Sequence, residues 1–184
     1  LGDAANAGGA KRPLKFAHHR VRTIQDRVAL VHQQMIAGTK DPKVYSLARE
    51  VLSRKSGDSW SVAEKDHKGE VTALFNEVRK RVRYTWDPTD YDAFQTPART
   101  LEMGTADCDD GTSLLGALCR SVGHQVRSRI VQTKGAPTWN HIYLIAKVGS
   151  TWMPLDPSVD KPAGWEVPRE MVLKMKDFDV VEGG

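Results

Sequence analysis

The chain has 184 residues, two cysteines and a formal net charge of +4. At 40% hydrophobic residues and a mean hydropathy of −0.48, it holds enough apolar material for one domain with a real core. The longest uncharged apolar run is the five residues Ile142 to Ala146, far too short for a membrane-spanning helix. Two cysteines exclude a disulfide scaffold and suit a reducing compartment. The charge is uneven: residues 1–100 carry 18 Lys/Arg against 12 Asp/Glu, and residues 101–184 carry 9 against 11. Any affinity for nucleic acid would therefore belong to the first half. No basic-then-apolar leader opens the chain, and a start at Leu1 without Met reads as a fragment or a processed product.

Residues 1–19, rich in Ala and Gly and carrying Lys11-Arg12-Pro13, read as a flexible basic arm. Val21, Ile24, Val28, Val31 and Met35 then fall at helical spacing, with Gly38 as the expected stop. Asp41-Pro42 is a cap followed by Pro at the first helical position, opening a second amphipathic helix on Val44, Leu47, Ala48, Val51 and Leu52. Ser61-x-x-Glu64 predicts a capping box before a third helix on Val71, Leu74, Phe75, Val78 and Val82. Residues 20–82 thus form a helical segment. The stretch from Tyr84 to Gly104 reads as a long loop, of a length often tied to function. Leu114, Leu115, Leu118, Cys119 and Val122 mark a strongly apolar helix closed by Gly123. Strand-like runs follow at 126–132, 141–148 and 151–155. Residues 83–184 are expected to form the core, and the fold class is α+β, with an antiparallel sheet after the helices.

Cys108 stands where the apolar helix begins. Helix N-terminal N–H groups stabilise a thiolate, while the flanking Asp107, Asp109 and Asp110 act against it. A cationic partner is required, and histidine is the obvious supplier. Gly149-Ser150 is a two-residue hairpin turn that would oppose Val148 to Thr151, Ala146 to Met153, Leu144 to Leu155 and Tyr143 to Asp156. Ile142, Leu144, Ala146, Val148, Met153 and Leu155 then share an apolar face, and His141, Tyr143 and Asp156 lie on the other. His141 and Asp156 become diagonal neighbours, about 7–8 Å apart at Cα and within side-chain hydrogen-bonding reach. Such a carboxylate fixes the imidazole tautomer.

This order, Ala106-Asp107-Cys108-Asp109-Asp110, Leu114-Leu115-x-Ala117-Leu118-x-Arg120-x-Val122-Gly123, Asn140-His141-Ile142-Tyr143 and Trp152-x-Pro154-Leu155-Asp156-Pro157, resembles the transglutaminase-like superfamily, whose fold is papain-like. Arg83-Tyr84 and the run Phe94 to Leu101 resemble bacterial and prophage-encoded members. The resemblance implies Cys108 as nucleophile, His141 as acid and base, and Asp156 as the residue that orients it. Where Ala106 stands, many relatives have Gly. An oxyanion hole needs donors aimed at the developing charge: the N–H of Cys108 is the first, and Gln95 is the side chain favoured here over Trp86 and Gln125. The expected chemistry is acyl transfer through a thioester, with hydrolysis of an amide or isopeptide bond favoured over crosslinking. The rival reading is a structural or adaptor module, as in a phage particle.

The implied partner is a protein or peptide substrate, of phage or host origin if the prophage likeness holds, with a cytoplasmic or virion-associated location. No cofactor is expected. A metal site on Cys108, His141 and Asp156 lacks a further ligand at metal spacing, and His18-His19 with His32 is weaker still. Cys119 reads as core filler, eleven residues beyond Cys108 and out of disulfide reach along a helix. Arg79-Lys80-Arg81 reads as a solvated face. No aromatic interleaving supports single-strand nucleic-acid binding.

Overall fold

The first described helix, α1 (Ile24–Thr39), begins where Thr23 and Asp26 exchange side-chain to backbone hydrogen bonds of 3.1 and 3.0 Å, a reciprocal cap. The computed structural model describes residues 23–86 and 94–181. The predicted basic arm, Val21 and part of the predicted loop lie outside the described residues. Gly38 does not stop α1. It lies inside it, and a Cβ there would sit 2.5 Å from Pro97 Cγ and 2.9 Å from Ala117 Cβ. Its role is close approach between helices.

Helix α2 (Pro42–Leu52) starts as expected, with the Asp41 carboxylate accepting from the backbone of Lys43 and Val44. A short hairpin of β1 (Lys55–Ser56) and β2 (Ser59–Trp60) follows, turning at Gly57 with φ +64°. Helix α3 is His67–Arg81, and its cap is Asp66, which accepts from Gly69 N–H. The Ser61-x-x-Glu64 pattern therefore precedes the helix and does not open it. Asp66 satisfies the same orphan donor three residues on.

The predicted long loop contains structure. Strand β3 (Arg83–Tyr84) pairs in parallel with β4 (Thr105–Ala106), and α4 (Pro97–Met103) lies between them. Thr96-Pro97 repeats the cap-then-Pro signal of Asp41-Pro42, and Gly104 ends the helix in the left-handed region at φ +65°.

Helix α5 (Cys108–Ser121) is the axis of the molecule. Every residue from Asp109 to Cys119 is buried, because α1, α2, α3 and α4 pack on some sides and the sheet on the other. Small residues allow that enclosure: a Cβ on Gly116 would meet the Met35 thioether at 2.4–2.9 Å.

The sheet runs β7-β6-β5-β8, with β5 (Val126–Thr133), β6 (His141–Val148), β7 (Thr151–Leu155) and β8 (Val172–Asp179), all antiparallel. The Gly149-Ser150 turn sets the register predicted for it: Val148–Thr151, Ala146–Met153 and Leu144–Leu155 are opposed. Ile142, Leu144 and Ala146 enter the main core with α5. The other face is not solvated. Tyr143 and Ile145 join Val131 and Val172 in a second buried cluster, and Glu166 accepts from the Tyr143 hydroxyl at 2.7 Å. The fold is α+β as expected, with β8 as an additional edge strand. The basic run on α3 is also tied down: Arg79 pairs with Asp160, and Arg81 and Arg54 both pair with buried Glu77, whose carboxyl is pulled down to about 2 by them.

Candidate active site

Asp107 is the cap of α5, accepting from Asp110 N–H at 2.9 Å. This puts Cys108 at the first helical position, half-buried. The three aspartates around it have separate tasks. Asp109 pairs with Arg27 of α1 at 2.5 Å, and Asp110 accepts from the backbone N–H and the side-chain amide of Gln95, both at 2.8 Å.

The start of α5 is seated on the start of β6. Where the β6–β7 ladder ends at Leu144–Leu155, Thr112 Oγ1 donates to the Ile142 carbonyl at 3.3 Å, and the Ile142 N–H faces the Cys108 thiol. The next residue back along β6 is His141. Its Nε2 is 2.6 Å from Asp156 Oδ2, the diagonal contact predicted from the hairpin register. Asp156 is buried, and its second oxygen accepts from Ser158 N–H at 3.1 Å and Ser158 Oγ at 2.6 Å. The carboxylate is thereby locked in rotation, and with Nε2 on Asp156 the imidazole keeps Nδ1 for another partner.

The surroundings of Cys108 favour the protonated thiol. Burial first, then the charges of Asp109 and Asp107, push the Cys108 thiol well above its ordinary range, against the opposing effect of the Ile142 N–H and Arg27. A helix N-terminus alone does not favour a thiolate here, because burial and two neighbouring carboxylates oppose its dipole.

Residues 59–157 match the model of the transglutaminase-like superfamily. The chain belongs to this superfamily. Among solved structures, a candidate cysteine protease from Cytophaga hutchinsonii superposes with a TM-score of 0.50 at 17% identity, over 77% of this chain and 46% of that one. A candidate protease from Parabacteroides distasonis superposes with a TM-score of 0.53 at 10% identity, over 74% and 27%. The chain spans less than half the length of either, and at these identities the likeness is one of fold. No match was found among curated proteins. Among the described residues no helix is long and apolar enough to cross a membrane.

The structure joins His141 to Asp156 and sets the N–H of Ile142, the next residue along β6, on the Cys108 thiol; the other candidates are committed elsewhere. Gln95 supports Asp110, and its Nε2 also donates to the Thr105 carbonyl at 3.4 Å. Gln125 lies beyond the far end of α5, exposed. Trp86 is 84% exposed and makes an edge-on contact with Tyr84, centroids 5.8 Å apart. Cys119 is fully buried, and burial raises its thiol to about 12.

Two further residues border this site: Ser158, which the sequence analysis does not name, and Tyr84, which it names in a motif without a role. Ser158 was signalled by Asp156-Pro157-Ser158, the spacing of an Asx turn. Tyr84 borders the site: burial first, then the charges of Cys108, Asp107, Asp156 and Asp109, hold its phenol up at about 12. It is brought there by the parallel pairing of Tyr84 with Ala106, a contact that no local pattern announces.

Proposed function

We propose that the protein is a cysteine acyltransferase that acts on amide bonds through a thioester, most readily as a hydrolase. The observation that carries this reading is the His141 Nε2–Asp156 contact of 2.6 Å, on the strand whose next backbone N–H meets the Cys108 thiol. His141 Nδ1 takes the thiol proton as sulfur attacks the substrate carbonyl, so the thiolate need not exist beforehand. The C–N bond then breaks, the leaving amine receives that proton, and the acyl group stays on sulfur. Water, deprotonated by His141, attacks the thioester and restores the thiol; an amine in its place would make the enzyme a crosslinker. Asp156 holds the ring throughout, and Ser158 holds Asp156.

For the oxyanion we assign the Cys108 N–H and, as the side-chain donor, the Tyr84 hydroxyl, which its raised titration keeps protonated. The Gln95 amide is committed to Asp110 and Thr105. Exposed Trp86 beside Tyr84 fits an apolar part of a protein or peptide substrate.

The test is intact-mass analysis of the full chain after exposure to p-nitrophenyl acetate. An acetyl group is expected on Cys108 and not on Cys119, with none in Cys108→Ala and at least a hundredfold slower labelling in His141→Ala. Equal labelling of the His141→Ala protein would overturn the reading. Adding a primary amine partitions the acyl-enzyme, and a rate insensitive to it identifies water as the acceptor.

A further inference from the structure

We infer that His67, Glu70 and His124 form a binding site for a divalent transition-metal ion, zinc or a close relative, at the end of α5 remote from Cys108. Asp66 caps α3, so His67 and Glu70 fall in its first turns, three residues apart on one face. His124 follows Gly123, the residue that turns the chain out of α5 towards β5. Its N–H donates to the Cys119 carbonyl at 3.0 Å, which fixes its backbone.

The three side chains converge. Glu70 Oε2 lies 3.0 Å from His67 Nδ1 and 3.1 Å from His124 Nε2, and one ligand atom from each residue falls within 4.8 Å of the others. Four ligands at zinc distances of about 2.0 Å stand about 3.3 Å apart along a tetrahedral edge, so two of the three edges are already near that length. Two imidazoles and one carboxylate are a donor set that suits zinc, with a fourth position for water.

The second observation is the state of His124. Its side chain is only 6% exposed, and Nε2, despite its approach to Glu70, has no hydrogen bond with acceptable alignment. A buried ring nitrogen is thus aimed into the cluster without a satisfied partner, which is unusual for a native interior. His67 is 60% exposed, and a cleft lined by Leu52, Trp60, Val62 and Glu64 reaches Glu70, giving an ion a path in. Bound there, the ion would tie the start of α3 to the junction of α5 with the sheet. It would stand a whole helix away from the thiol and serve structure.

The experiment uses the full chain, stripped with a chelator and titrated with zinc sulfate by calorimetry, with cobalt(II) absorption as a second readout. One equivalent is expected, retained in Cys108→Ala, which removes the thiol of the active site. Affinity should fall at least thirtyfold in His67→Ala, whose exposed position leaves the apo fold intact by circular dichroism, and in Glu70→Gln. Cobalt should give the intense visible bands of a four-coordinate site, lost in His67→Ala. Zinc affinity in His67→Ala within threefold of the parent, or loss of binding in Cys108→Ala, overturns the proposal. So does the absence of any stoichiometric binding, which would leave the cluster as an ion pair only.

Discussion

The two cysteines of α5 stand on one helix, eleven residues apart, in opposite environments. At Cys108 the helix emerges among polar groups: three aspartates, the Ile142 N–H, the Tyr84 phenol and the His141–Asp156 pair. At Cys119 the helix is buried in the main apolar core, and its thiol is out of water altogether. Both thiols are raised, but for different reasons. Cys119 is raised by burial alone, whereas Cys108 is also held up by Asp109 and Asp107, charges that a substrate or a proton acceptor can offset. Reactivity therefore follows from the third group that a thiol meets, and a helix terminus by itself does not confer it.

The largest expected effect breaks the polar end. Asp156→Ala removes the partner of His141 Nε2, and turnover of an acyl substrate should fall about a thousandfold with Km little changed. Ser158→Ala, which frees only the carboxylate's rotation, should cost about tenfold. A loss in Asp156→Ala no larger than in Ser158→Ala would show that the pair only fixes the strand end.

A second prediction concerns pH and the sheet side of the core. His32 on α1 is buried, its ring 3.0 Å from Ser128 Oγ, and burial first, then the charge of Arg120, lowers its titration to about 4. A depressed folded value means the unfolded chain takes up the proton first as pH falls. The stabilisation is therefore complete above about 6.5 and is lost as pH falls towards 4, a change of the order of 2 kcal/mol. Chemical denaturation of the parent and His32→Leu at pH 7 and 4.5 should show the smaller pH effect in the variant. An identical slope would place the acid sensitivity elsewhere, with Glu77 the next group to test.

Asp109→Asn sharpens the contrast between the thiols. It removes the largest charge opposing ionisation of Cys108 and releases Arg27, which favours it, so the thiol's titration moves down. Alkylation by iodoacetamide at pH 7.5 should rise several-fold at Cys108 and stay negligible at Cys119, read by peptide mass mapping. A slower reaction at Cys108 would mean that access, and not charge, limits it.

The smallest effect tests the sealed end. Gly38→Ala gains helix propensity but drives a Cβ into Pro97 and Ala117. Overpacking against the Pro97 ring and the buried Ala117 methyl should outweigh the gain, for a net loss of about 1 kcal/mol. Denaturation measures it, and Cys108 labelling in the folded protein should be unchanged.

Local chemistry carried much of this molecule. Asp41-Pro42, the apolar spacing of α1 to α3 and the Gly149-Ser150 turn are decided by neighbours in sequence, so the register that joins His141 to Asp156 could be read from the hairpin alone. The Cys108 helix start was equally legible from its flanking aspartates. Features missed there depend on weaker or distant signals. Helix α4 hides behind a single Thr96-Pro97 cap, and strand β8 alternates Val172, Lys174 and Lys176 on an exposed edge, without an apolar run. Tyr84 reaches the thiol only through parallel pairing with residues more than twenty positions on, and Gly38 reads as a helix stop until Pro97 is seen against it.

What the sequence by itself determined was the helix start that carries Cys108 and the hairpin register that sets His141 against Asp156, because a helix cap and a two-residue turn act within a few residues of where they are written. What only the tertiary structure decided was the state of those groups. The raised Cys108 thiol, the distinct tasks of Asp107, Asp109 and Asp110, and the meeting of His67 and Glu70 with His124 all arise from burial and from charges brought together across the fold. Electrostatics in a desolvated interior depends on distance in space, and distance along the chain does not report it.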